Sequence, residues 1–244
     1  ALACRLPRIF GSPTRVVLNV DGLERNRRKW NALGRLAYAA SERLSCVLPD
    51  IVVTDARAIA RYYLERYGRA SEFIPYGSDL PGPASDETLK RLGLRREGYV
   101  LYVSRFEPEN NPDAVLRGFR LFERDLPLVL VGSAPYADAF IAELTRVAKN
   151  DRRVILPGAI YGEGYRELLA HAAAYVHATE VGGTHPALIE AMGFGRPVAV
   201  HDTAENREVA GPSAVYWDAA KPGTLAQALE SVFASEPERR GRGE

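Results

Sequence analysis

The sequence predicts an α/β protein built on parallel sheets, and three observations carry that expectation. Short continuous apolar runs, of the kind buried on both faces, recur at residues 16–20, 51–53, 73–75, 99–103, 128–131, 154–156, 175–177 and 198–200. Longer stretches with apolar residues at helical spacing alternate with them. Glycine, proline or a capping side chain marks most of the changeovers.

In chain order, VVLNV at 16–20 reads as a strand closed by Asp21-Gly22. Arg25, Arg27, Arg28 and Lys29 then crowd in front of Trp30, after which Leu33, Leu36, Ala37, Ala40 and Leu44 follow helical spacing. Residues 51–53 form a second strand closed by Thr54-Asp55. Either of these caps a helix over 56–67 that ends at Gly68. A third short strand at 73–75 leads to Tyr76-Gly77, and the Pro/Gly-rich LPGPAS at 80–85 reads as an interdomain linker.

A second α/β series follows. Strand 99–103 precedes a helix over 111–123 with Pro112 in its first turn, and strand 128–131 ends at Gly132-Ser133. Helix 136–149, strand 154–156 ending at Pro157-Gly158, helix 165–173 and strand 175–177 continue the rhythm. Residues 179–200, TEVGGTHPALIEAMGFGRPVAV, read as strand end, glycine loop, short helix, turn and strand, and a helix over 224–233 closes the series. The expected division is a partial N-terminal segment at 1–80, a linker at 81–97, a ligand-binding domain at 98–235 and a tail at 236–244.

Composition bounds the function. Apolar residues make up 46% and charged residues 26%, ordinary for a globular domain. No apolar run approaches the ~20 residues of a membrane span, and the start is too short and too charged for a secretory signal. Cys4 and Cys46 show no metal-ligand spacing, which favours a reduced cytosolic setting over a disulfide. Residues 1–80 hold 13 Lys/Arg against 8 Asp/Glu, whereas residues 81–244 hold 19 against 23. That excess favours an anionic partner such as a lipid phosphate or membrane surface on the first segment, or is simply a solvated basic face. Nucleic-acid binding is disfavoured because no reader motif occurs. A dinucleotide dehydrogenase is disfavoured because no G-x-G-x-x-G follows an early strand.

The chemistry concentrates at 179–200. Gly182 and Gly183 permit backbone conformations closed to other residues. Thr184 or His185 can cap the helix that Pro186 opens. A glycine loop running into a helix exposes N–H groups that suit a phosphate. Glu180 and Glu190 bracket the loop and can accept hydrogen bonds from sugar hydroxyls, so the pair points to a ligand that is part phosphate and part polyol. The plain alternative is a capped helix in an ordinary βαβ crossover.

The run Glu180…Glu190-Ala191-Met192…Gly195-Arg196-Pro197-Val198 resembles the donor-site signature of family 4 retaining glycosyltransferases of the GT-B fold, in its rhamnosyltransferase-like branch. VDGLERNRRKW at 20–30 resembles the same family's N-domain motif, with Arg25-Asn26 in place of the usual Trp-Lys. The resemblance spans about residues 16–233. It implies half of one Rossmann-like domain followed by a nearly complete second one, with earlier elements of the first domain missing and the edge of strand 16–20 open to pairing.

The resemblance also implies roles. Glu190 would bind the nucleotide ribose, and Glu180 with the amides of Gly182, Gly183, Thr184 and His185 would hold sugar and diphosphate. Nine residues separate the two acids, a longer loop than the family's usual spacing. Arg105 would neutralise the leaving diphosphate, with Asn110 standing where the family carries a lysine. Gly132 and Ser133 match the glycine turn near the nucleotide, and Ile160 lies in the segment that reads the base. Asp21, Gly22, Glu24 and Arg27 are the acceptor-side candidates. The expected reaction moves a sugar, rhamnose or another deoxyhexose, from a dTDP-, UDP- or GDP-sugar to a glycan or lipid-linked acceptor with retention. It needs neither cofactor nor metal, and takes place in the cytoplasm with peripheral contact at the inner face of the membrane. The rival expectation is an inactive nucleotide-sugar-binding fragment, favoured by Asn110.

Overall fold

The computed structural model describes residues 4, 6–20, 22, 30–79, 82, 84–134 and 137–234. Two compact units emerge: Ala1–Tyr76 together with Val181–His185, and Gly77–Glu180 together with Pro186–Glu244.

The first unit contains α1 (Leu6–Ile9), β1 (Val17–Val20), α2 (Ala32–Val47), β2 (Ile51–Thr54), α3 (Arg57–Tyr67) and β3 (Glu72–Phe73). Its strands pair in parallel in the order β1-β2-β3, with Val17 opposite Ile51 and Val53 opposite Glu72, so β1 is an edge. Asn31 caps α2 by accepting from the Gly34 N–H at 2.9 Å. The helix forms where the spacing predicts it, but Leu33 and Leu36 on its apolar stripe are 75% and 68% exposed. Its inward face is Glu42, Ser45 and Cys46 instead. The Glu42 carboxylate is buried because the hydroxyls of Tyr62 and Tyr67 both donate to its Oε2, at 3.0 and 2.9 Å. Around it Val20, Val52, Ala56, Ile59 and Tyr63 make a small core.

The capping expectation for α3 fails. Its N-cap is Ala56, with no side-chain hydrogen bond. The Asp55 carboxylate is engaged by Thr184 instead, and the Thr54 hydroxyl lies 3.0 Å from that of Ser71. Gly68 ends α3 in the left-handed conformation at φ +64°, as its position in the sequence predicts.

The second unit contains α4 (Glu87–Leu92), β4 (Val100–Val103), α5 (Pro112–Phe119), β5 (Leu128–Val131), α6 (Asp138–Ala148), β6 (Val154–Gly158), α7 (Gly162–His171), β7 (Ala174–His177), α8 (Pro186–Gly193), β8 (Val198–His201), α9 (Ala204–Ala210), β9 (Ala214–Trp217) and α10 (Gly223–Ala234). Its six strands are all parallel, in the order β6-β5-β4-β7-β8-β9. Alternate residues feed two cores, as the period of two along a strand requires. Val100, Tyr102, Leu128, Leu130 and Val176 pack with Phe119, Leu144, Leu225 and Phe233 on one face. Leu101, Val129, Tyr175 and Val200 pack with Leu89, Leu168 and Leu188 on the other.

Three elements of this unit go beyond the sequence reading: α9, β9 and α4, the last inside the span read as linker. Leu89 anchors α4 in the core, and Glu167 on α7 fixes its start. That carboxylate accepts from the Leu89 N–H at 2.7 Å and the Ser85 hydroxyl at 2.6 Å. Burial alone would raise the Glu167 pKa, but Ser85 and the N–H groups of Leu89 and Thr88 outweigh it and hold the group below the usual carboxylate value.

Candidate functional site

The strand order reverses beside β4. From β4 the chain steps outward through β5 and β6, then returns to place β7 on the other side of β4. In an open parallel sheet such a switch point leaves a crevice at the carboxyl ends of the two strands, the usual place for a ligand. Arg105 follows β4 and Glu180 follows β7, so both stand at that point.

The loops there are laced together. The Ser104 N–H donates to Val131 O at 3.1 Å, Phe106 N–H to Ser133 O at 3.3 Å and Gly132 N–H to Gly158 O at 3.1 Å. A Cβ on Gly132 would lie 1.9 Å from Ser104 O, so only glycine lets the loops after β4 and β5 approach this closely. Ile160, after β6, packs against the core shared by α4 and α7.

Arg105 is exposed, its guanidinium 3.7 Å from the buried carboxylate of Glu107. Asn110 is itself buried, and its Nδ2 donates to Arg105 O at 2.7 Å while its carbonyl accepts from Tyr102 Oη at 2.8 Å. Its side chain therefore shapes the Arg105 loop. Asn111, next along, adopts a left-handed backbone at φ +53°. Its Nδ2 donates to Ala178 O at 2.9 Å and to Glu180 Oε2 at 3.3 Å, and the Glu180 N–H donates to Glu109 O at 3.0 Å. One asparagine thus joins the loops after β4 and β7. Asn206 adds the loop after β8, donating to Thr179 O at 3.0 Å and His201 O at 2.9 Å.

Glu190 sits on α8, and its Oε2 accepts a hydrogen bond from the Tyr165 hydroxyl of α7. It lines a pocket of about 230 Å³ with Ser78, Asp79, Tyr165, Arg166 and Phe194. Burial first, then Tyr175 and Glu190, push the Tyr165 phenol well above its usual range, so it stays a donor at neutral pH.

The glycine loop belongs by its contacts to the first unit. Thr184 N–H donates to Asp55 Oδ2 at 2.8 Å and its hydroxyl to Asp55 O at 2.7 Å. A Cβ on Gly183 would lie 2.5 Å from Asp55 Oδ1, one on Gly182 2.6 Å from His185 Cε1, and one on Gly22 2.8 Å from Gly182 Cα. Gly22 is therefore required by its close approach to backbone, Gly182 and Gly183 meet side-chain ends, and the Thr184 amide expected to face a phosphate meets a carboxylate of its own chain. Of the acceptor-side candidates, Asp21, Glu24 and Arg27 lie outside the described residues.

Residues 97–235, more than half of the chain, match the family described as glycosyl transferases group 1. The chain belongs to that family. Residues 8–79 match a domain of unknown function, DUF1972. The O-antigen chain mannosyltransferase B of Escherichia coli is 25% identical over 173 residues, which is 69% of this chain and 42% of that protein. Among solved structures, the Anabaena protein Alr3699/HepE in complex with UDP and glucose superposes with a TM-score of 0.82 at 17% identity, over 97% of this chain and 66% of its own. Sucrose-phosphate synthase from Thermosynechococcus elongatus gives 0.73 at 18% identity, over 89% and 58%. This group 1 chain spans less than half of the curated relative and just under two thirds of HepE. At such identities the structural likenesses bear on fold alone, and they agree with the parallel α/β architecture that the sequence predicts.

Two residues of the site escaped the sequence reading, Asn111 and Tyr165, and in the first unit Asp55 reads in the sequence as a helix cap and not as a partner of Thr184. Asn111 left a faint signal, because a residue before proline is driven out of the right-handed helical region and asparagine tolerates the left-handed one. Tyr165 and Asp55 left none, since their partners lie 25 and 129 residues away.

Proposed function

We propose that the chain is the donor-side part of a transferase that moves a sugar from a nucleoside diphosphate to an acceptor hydroxyl, with retention. The observation that carries this is the switch point itself, where Arg105 and Glu180 leave neighbouring strands and Asn111 couples their loops. Arg105 offers paired donors to a leaving diphosphate, Glu180 accepts from sugar hydroxyls and Glu190 accepts from the ribose. Gly132, Ser133 and Ile160 approach the nucleotide through backbone. In this scheme the departing diphosphate takes the acceptor proton on the face it leaves, and the protein supplies position and charge. Charge on the leaving group falls to Arg105, so added EDTA leaves the rate unchanged.

The UDP and glucose bound to HepE and the mannosyl specificity of the O-antigen relative support a hexose donor. The signature around Glu190 favours a deoxyhexose such as rhamnose on dTDP, UDP or GDP. The acceptor is a glycan or lipid-linked glycan at the cytoplasmic face of a membrane, approached by the basic first segment. Incubation with each nucleotide sugar and an oligosaccharide acceptor, following nucleoside diphosphate release, tests the reading. Release from one donor that stops in Arg105→Ala supports it, and no release from any donor removes it. The second reading, a binder without transfer, is favoured by Asn110. A neutral buried amide turned onto Arg105 O stands where the family signature carries a cation. Donor binding without release would select it.

A further inference from the structure

We propose that Tyr165 is a positioning residue that fixes one oxygen of Glu190 so that the other is presented to a ribose hydroxyl. The inference rests on the reading that Glu190 takes the ribose. Three observations point to it.

The first is geometric. The Tyr165 hydroxyl donates to Oε2 of Glu190, and among the described residues it is the only side chain with a hydrogen bond to that carboxylate. A carboxylate can accept on both oxygens, so Oε1 keeps its capacity for a ligand.

The second is the setting. Tyr165 and Glu190 are both only half-buried and both line the pocket of about 230 Å³. Water could satisfy either group at such a position, so burial does not explain the pair. Its effect is conformational: an unanchored glutamate must lose rotamer freedom when it grips a ligand. A tyrosine already hydrogen-bonded to it removes much of that penalty before the ligand arrives.

The third is direction. A phenol keeps its proton at neutral pH, and burial raises this one further, so the Tyr165 hydroxyl acts as the donor in the bond to Glu190. Gly162, at φ +61°, opens α7 three residues earlier and also lines the pocket, which sets where the Tyr165 ring enters it. Packing of Leu168 and Leu169 into the core holds that helix in place.

The test is calorimetric titration of the whole chain with UDP, GDP and dTDP, followed by the 2′,3′-dideoxy analogue of whichever binds. The proteins are wild type, Tyr165→Phe, Glu190→Ala and the double variant, with melting temperature as a check that the fold is kept. Tyr165→Phe is expected to weaken the nucleotide roughly five- to tenfold and to leave the dideoxy analogue unchanged. Its effect should vanish in the Glu190→Ala background, as coupled residues require. Equal weakening of nucleotide and analogue would show Tyr165 acting on the base or on the fold, and would overturn the inference, as would no weakening of either. If wild type binds nucleotide and analogue equally, or binds none of the three nucleotides, the ribose reading of Glu190 itself falls and takes this inference with it. If wild type discriminates and Tyr165→Phe discriminates to the same degree, only the positioning role falls.

Discussion

In the second unit the strands β5, β7 and β8 are buried along their whole length, whereas in the first unit the leucines of α2 lie in solvent. Both patterns are equally plain in the sequence. The difference teaches that periodicity specifies the face of an element, while burial depends on what packs against that face. β5 has helices on both sides of its sheet, and its alternate residues enter two cores. α2 instead turns Glu42, Ser45 and Cys46 inward, a choice made possible by the two tyrosine hydroxyls on Glu42.

Substitutions can break or sharpen that contrast. The largest effect is expected at Gly132, where any side chain collides with Ser104 O and Phe106. Gly132→Ala should destabilise the second unit by about 3 kcal/mol or more, read from the denaturant midpoint. A loss under 1 kcal/mol would mean that the loops after β4 and β5 are not locked together.

Next is Asn111. Replacement by alanine removes its hydrogen bonds and places a non-glycine residue at positive φ, which itself costs roughly 1–2 kcal/mol. Asn111→Gly keeps the backbone at ease and loses the side-chain bonds to Glu109 O, Ala178 O and Glu180. Asn111→Ala should therefore be the less stable of the two by that difference, while both lower turnover alike through loss of the Asn111–Glu180 bond. Equal turnover in wild type and Asn111→Gly would sever Asn111 from the site.

A smaller effect, and one with a pH signature, is expected at Glu167. Its folded pKa is depressed, so its contribution is complete above the unfolded value of about 4.3 and is lost as pH falls through the folded pKa. Glu167→Gln should lower stability by roughly 1–2 kcal/mol at pH 7, and the gap from wild type should close in acid. A gap independent of pH would place the effect in packing.

At the small end, Leu36→Gln on the exposed stripe of α2 should change stability by no more than about 0.5 kcal/mol. A large loss would show that the stripe is covered in solution, and would erase the contrast between the two units.

Much of the second unit was legible because its signals are local. Gly132 after an apolar run located the end of β5, the Gly195-Arg196-Pro197 turn located the start of β8, and Pro112 and Pro186 sit at the first turns of α5 and α8, where their fixed φ and missing N–H are tolerated. α4 was hidden because its start is fixed by Glu167, some 78 residues away, and β9 because AVYW completes its pairing only beside β8. The same holds at the site. Arg105, Glu180 and Glu190 could be found from position and charge type, but Tyr165 and Asn111 act across the fold, as Asp55 does in the first unit. Asp55 shows the limit best. A carboxylate after a strand and before a helix is the common form of a cap, yet its oxygens meet Thr184 and the helix starts without it.

The central claim is that the switch point and Glu190 form a nucleotide site. Titration of UDP, GDP and dTDP into wild type and Glu190→Ala, with melting curves to confirm that both are folded, tests it most directly. If the switch point and Glu190 hold a nucleotide, wild type binds one of them saturably and the variant loses roughly tenfold or more in affinity. Identical affinities in the two proteins would contradict it.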